Sequence, residues 1–76
     1  MKKHVKLYMD HFGYGEQDWM PCEWCAGKCV DVHHIKPKSL GGKDEIDNLV
    51  GLCRDCHNEA HNDPGFNKEI KKQLRP

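Results

Sequence analysis

Apolar positions along the chain fall into two helical stretches near its ends and two short runs between them. From His4 to about Tyr14, the residues Val5, Leu7, Tyr8, Met9 and Phe12 recur at roughly helical spacing, and Gly13 and Gly15 then break the pattern. Between Cys29 and Ile35, Val30 and Val32 alternate with Asp31 and His33, which predicts a strand that Pro37 and the Ser39-Leu40-Gly41-Gly42 loop bring to an end. Asn48 to Leu52 is a second apolar run, and antiparallel pairing of the two makes a long-looped hairpin. A helix is predicted from about Arg54 to His61. Asp63-Pro64 then restarts the chain: Asp63 can cap a last helix, Pro64 fits its first turn, and Phe66, Ile70 and Leu74 follow four apart on one face. No internal repeat or low-complexity stretch interrupts this order.

Length and composition change the picture by asking what holds such short elements together. A chain of 76 residues reads as one domain, and one this small buries only about 60% of its unfolded surface. With hydrophobic residues at 37% and charged residues at 32%, the core needs a staple. Five cysteines are available, and no run resembles a secretory signal or a membrane span, so a reducing cytoplasm is the expected compartment. There, paired cysteines read as metal ligands rather than disulfides.

Cys22-x-x-Cys25 and Cys53-x-x-Cys56 supply four soft ligands, the set that closes a tetrahedral structural Zn²⁺ site. The Gly-terminated turn Pro21-Cys22-Glu23-Trp24-Cys25-Ala26-Gly27 has the form of a zinc knuckle, in which backbone N–H groups can turn toward sulfur. A site using His57, four residues after Cys53, or Cys29 remains open on spacing alone. The segment between the pairs is too long for a connecting turn, and it carries histidines.

Four histidines are left over by the cysteine site: His33 and His34 at a strand end, and His57 and His61 four apart on a helix. Together they can bring imidazole nitrogens around a second ion. Each helical residue advances about 100°, so His57 projects away from Cys56 and one helix can serve two sites. Adjacent strand residues point to opposite faces, so using both His33 and His34 requires the strand to bend or end there; otherwise Asp31 can replace His33. His4 and His11 lie on the first helix and read as surface or packing residues.

The ordered set His33-His34-Ile35-x-Pro37, Gly41-Gly42, Asn48-Leu49 and Cys53-x-x-Cys56-His57 resembles the HNH nuclease family over roughly residues 22 to 61. The resemblance implies a small α+β, ββα-metal fold: a two-stranded antiparallel hairpin plus helix, a four-cysteine structural zinc site, and here flanking N- and C-terminal helices. It implies metal-dependent hydrolysis of a DNA phosphodiester that leaves a 5′-phosphate. By the match, His34 is the general base, a role suited to a group with a pKa near neutrality. His33 and His57 match ligands of the catalytic cation, and Asn48 matches the residue that fixes the loop and the His34 ring. His61 matches a further ligand of one branch and stays open between ligand, phosphate contact and surface residue.

The implied catalytic ion is Mg²⁺ or Mn²⁺, with Zn²⁺ or Ni²⁺ as other occupants. The formal net charge of zero is unusual for a protein gripping phosphates, so the positions of Lys36, Lys38, Lys43 and Arg54 carry the expectation of phosphate contact. The terminal lysines read equally well as solvated helix faces. One such site cuts one strand, so nicking is expected; a homodimer or a larger protein partner would be needed for a concerted double-strand break. The rival expectation is a non-catalytic zinc module that docks nucleic acid or protein, which has no need for the four histidines.

Overall fold

The computed structural model describes residues 2–76 and runs helix, hairpin, helix, helix. Helix α1 spans Lys3–Phe12, strand β1 Asp31–His34, strand β2 Leu49–Leu52, helix α2 Arg54–Asn62 and helix α3 Pro64–Leu74. Two single 3₁₀ turns, Lys38–Leu40 and Ile46–Asn48, shape the long hairpin loop. Among the described residues, no helix is long and apolar enough to cross a membrane.

The strands pair antiparallel, with Asp31 opposite Leu52 and His34 opposite Leu49. β1 is shorter than the predicted Cys29 to Ile35, although hairpin bonding runs on past both ends: Val30 N–H donates to the Leu52 carbonyl and Ile35 N–H to that of Asn48, while Cys29 N–H turns to Met20. Alternation along the hairpin splits the core in two. Tyr8 of α1 packs with Val32 and Leu49 on one face, and Ile35, Val50, Leu52, Ala60 and Ile70 pack on the other, with Phe66 and Leu74 against them. Leu49, Val50, Leu52 and Ile70 are completely buried, each contributing roughly 1.5–3 kcal/mol relative to exposure.

α1 can approach the sheet this closely because β2 carries Gly51, where a Cβ would meet the Tyr8 hydroxyl at 2.8 Å. The N-terminus of α3 forms as its sequence predicts, with the Asp63 carboxylate accepting from the N–H groups of Gly65 and Phe66. Glu23 of the knuckle ties the ends together. It accepts from the Tyr8 hydroxyl, from Gly51 N–H at 3.2 Å and from Arg75 at 2.8 and 3.0 Å. Helix, knuckle, strand and C-terminus are thereby held around one carboxylate.

Candidate active site

The two cysteine pairs meet at one point. The sulfurs of Cys22, Cys25, Cys53 and Cys56 lie within 4.8 Å of one another, with Cys25 and Cys53 3.6 Å apart. Four sulfurs at tetrahedral zinc bond lengths would stand about 3.8 Å apart, so the cluster matches the size of that ion. Cys53 is the N-cap of α2, where its sulfur accepts from Cys56 N–H at 3.4 Å. Burial works against the Cys22 thiolate, but N–H groups of Cys25, Cys53 and Trp24 outweigh it and bring its pKa down to about 7. Burial and the neighbouring sulfurs push Cys56 upward, so the cluster cannot ionise fully without a cation. Cys29 stays outside: it is buried beside the Asp31 carbonyl, and burial raises its pKa to about 11. His57 is outside too. Both of the alternative ligand sets left open by spacing are thus set aside, and four cysteines are positioned to hold a metal ion.

The histidines gather in a separate cavity of about 840 Å³ along the unpaired edge of β1. Its walls come from the start of α1, from β1, from Pro37 to Asp44 of the hairpin loop, and from α2 and α3, but not from β2. β1 ends at His34, one of the two ways by which both histidines were expected to serve one site. His33 and His34 keep strict alternation: His33 faces α2 and α3, where it meets His57 and Asn67, while His34 faces α1, where it meets His4. Both line one cavity because β1 has a partner on only one side, so the opening wraps its free edge.

On the α2 side, the ring centres of His33 and His57 are 5.1 Å apart, those of His57 and His61 5.5 Å, and those of His33 and His61 6.3 Å. Each of the first two rings is oriented from behind. Asn67 donates its Nδ2–H to the Ile35 carbonyl, so the oxygen facing His33 is Oδ1, 2.8 Å from Nε2; His33 therefore donates from Nε2 and keeps its lone pair on Nδ1. His57 Nδ1 lies 3.3 Å from the Asp31 carboxylate, which leaves Nε2 free. Asp31, weighed as a ligand on sequence, pairs with the His57 ring. Burial lowers the His33 pKa against the pull of Asn67, so the ring is neutral at neutral pH, the form a metal ion needs. Two of the three imidazoles are thus held by an orienting partner.

On the α1 side, His34 Nε2 donates to Asp44 at 2.8 Å, and Lys38 closes on the same carboxylate at 3.0 Å. Hydrogen bonds from His34 and then Lys38 hold Asp44 below the usual carboxylate range, so it stays ionised. Asn48 does not touch His34. It accepts from Lys36 N–H at 2.7 Å and donates to the Lys36 and Lys43 carbonyls at 3.0 Å each. These are the backbone segments that carry His34 and Asp44, so one amide fixes the meeting of the two. Gly42 completes the loop, since a Cβ there would collide with the Lys36 carbonyl oxygen.

Of the four basic residues expected at phosphate, Lys38 lines the cavity, whereas Lys36, Lys43 and Arg54 lie outside its wall. Lys2 and Lys3, which read equally as solvated positions, do line it. His4, read as a surface or packing residue, stacks on His34 with ring centres 4.4 Å apart. Asp44 and Asn67 were missed altogether. Asp44 follows the Gly41-Gly42 turn with no pattern of its own, and the one available signal for Asn67 was its place three residues before Ile70 on the inward face of α3.

With this geometry in view, comparison with known proteins matches residues 22–63 to the family model described as "HNH endonuclease". That span is more than half of the chain. The chain belongs to the HNH endonuclease family. This HNH chain is 53% identical over 45 residues to the "Type IV methyl-directed restriction enzyme EcoKMcrA" of Escherichia coli (strain K12), covering 59% of the chain and 15% of that protein. It is 38% identical over 56 residues to the "Probable mobile endonuclease C" of Enterobacteria phage T4, covering 74% of the chain and 26% of that protein. The chain thus spans about a quarter or less of the length of these two relatives. No solved structure matches it.

Proposed function

We propose that this HNH domain is a metal-dependent endonuclease that hydrolyses DNA phosphodiester bonds one strand at a time. The observation that carries the reading is the cavity itself, which exposes His34 on one side of a strand edge and His33, His57 and His61 on the other. DNA is the substrate class because the chain is similar to a restriction enzyme and to a phage endonuclease.

His34 takes the proton of the attacking water. Asp44 accepts its Nε2–H, so the lone pair rests on Nδ1, and the ionised carboxylate stabilises the imidazolium that forms. Asp44 and Asn48 are positioning residues for this base. His33, His57 and His61 hold the catalytic divalent cation, Mg²⁺ or Mn²⁺ in the first instance, with Asn67 and Asp31 fixing the first two rings. When bound, the cation supplies positive charge to the scissile phosphate and its leaving oxygen. Lys38 approaches the neighbouring phosphate from the loop, joined by Lys2 and Lys3; Lys36, Lys43 and Arg54 extend contact along the backbone outside the cavity. The four cysteines hold Zn²⁺ as a closed structural ion.

The test is conversion of supercoiled plasmid to nicked circles by the purified domain with Mg²⁺ or Mn²⁺, against EDTA and against His34→Ala. The expected result is cation-dependent nicking that falls by about 10²–10⁴-fold in His34→Ala while its zinc content stays at one per chain. Equal activity in the two proteins would remove His34 from the base role. Inactivity of both on plasmid, single-stranded and branched DNA would sink the nuclease reading and leave a zinc module that docks its partner.

A further inference from the structure

On the α1 side of β1 stands a set of groups that hydrolysis does not use as ligands. His4, from the first turn of α1, His34, and Asp44 from the loop place one ligand atom each within 4.8 Å of the others. Among the described residues, that closeness is shared with the four cysteines and not with His33, His57 and His61. The three groups come from separate elements, and each is partly buried.

Two imidazoles and one carboxylate facing an open cavity form a two-histidine, one-carboxylate set, which suits borderline transition ions in preference to Mg²⁺ or Ca²⁺. A further observation points to a cation here. The Lys38 ammonium already sits 3.0 Å from Asp44, so the position accepts positive charge and the flexible lysine can withdraw.

We propose that His4, His34 and Asp44 form a second cation site, selective for Zn²⁺ and similar transition ions, whose occupation switches the nuclease off. A neutral imidazole has one lone pair, and an ion bound to His34 leaves none for the proton of water. The site lies across β1 from His33, His57 and His61, so the two ions are held independently. Mg²⁺ serves the reaction, while zinc beyond the cysteine-bound equivalent stops it. The switching half rests on the proposed role of His34; the binding half does not.

The test begins with protein carrying one zinc per chain and follows its imidazole nitrogens by NMR as Zn²⁺ is added. The ring signals of His4 and His34 are expected to move together to metal-bound values, and to do so equally in His57→Ala. In His4→Gln and in Asp44→Asn the affinity for this equivalent should drop at least tenfold; the second variant carries the comparison if the first does not fold. In a Mn²⁺-supported nicking assay, zinc that saturates His4 should slow the wild type at least tenfold and His4→Gln much less. Zinc shifts at His57 and His61 with His4 and His34 unmoved would overturn the site. Equal inhibition of the wild type and His4→Gln, with His4 ligated in the former, would overturn the switch. If no cation supports cleavage, the nuclease reading fails, and the imidazole shifts still decide the site.

Discussion

The domain contains a cysteine cluster positioned to hold a metal ion and an open histidine cavity, and they differ in how they are made. The cysteine cluster draws on two Cys-x-x-Cys turns, brings its sulfurs within 4.8 Å and packs Cys22, Cys53 and Cys56 against the main core. The histidine cavity draws on every helix and one strand, stays open, and leaves its three α2-side rings 5.1–6.3 Å apart. A closed, sulfur-rich site stabilises a fold, while an open imidazole site keeps room for substrate and water. α2 serves both: its N-terminal cap and first turn present Cys53 and Cys56 to the ion site, and His57 and His61 follow on another face. The lesson is that one helix links the two: its start carries half of the cysteine cluster, and its next turns carry the histidines into the cavity.

The largest effect should follow from breaking the closed site. Stripping the metal with a strong chelator, or replacing Cys53 with Ala, should abolish the cooperative thermal transition seen by circular dichroism, since structural zinc is worth about 10–16 kcal/mol in small domains. Cys29→Ala is the counterpart: it should keep one zinc per chain, because Cys29 stands outside the cluster. A wild-type melting curve after complete metal removal would show that the staple is not needed.

Effects in the open site should appear in activity before stability. Asp31→Asn removes the carboxylate behind His57, and the Mg²⁺ concentration for half-maximal nicking should rise about 10–100-fold with little change in melting temperature. An unchanged metal requirement would mean that His57 is oriented by something else. Asn48→Ala should move both readouts, because three hydrogen bonds to the loop backbone are lost: about 1–3 kcal/mol by denaturant titration, with slower cleavage as His34 and Asp44 drift apart.

The smallest effect is a pH dependence. The His33 pKa is lowered chiefly by burial, so the folded state favours the neutral ring. Its contribution is complete above the ordinary value of 6.5 and is lost as pH falls below it, at no more than about 1.4 kcal/mol per pH unit. His33→Asn should flatten the stability slope between pH 6.5 and 5 relative to wild type. Parallel slopes for the two proteins would assign the acid sensitivity to the cysteine ligands instead.

Local chemistry made much of this legible. The Asp63-Pro64 start of α3, the apolar spacing of α1, the order of the hairpin and the pairing of the cysteines all follow from residues a few positions apart, and each forms close to its expected bounds. The start of β1 moved where a backbone group found a partner outside the hairpin, as at Cys29, whose N–H bonds the Met20 carbonyl. The candidate site was legible in part. His33, His34, His57 and His61 do line one cavity, but the partners that orient them, Asp44 and Asn67, have no periodicity or motif to mark them.

The sequence by itself determined the elements, their order and the ligand chemistry, because turns, caps and helical or strand periods are properties of near neighbours. Tertiary structure alone decided that β1 keeps an unpaired edge, so two histidines pointing to opposite faces open on one cavity. It also brought His4 from α1 and Asp44 from the loop together at the His34 ring. Those meetings are set by how α1 packs over Gly51 and how Asn48 pins the loop, and neither can be read from residues close in sequence.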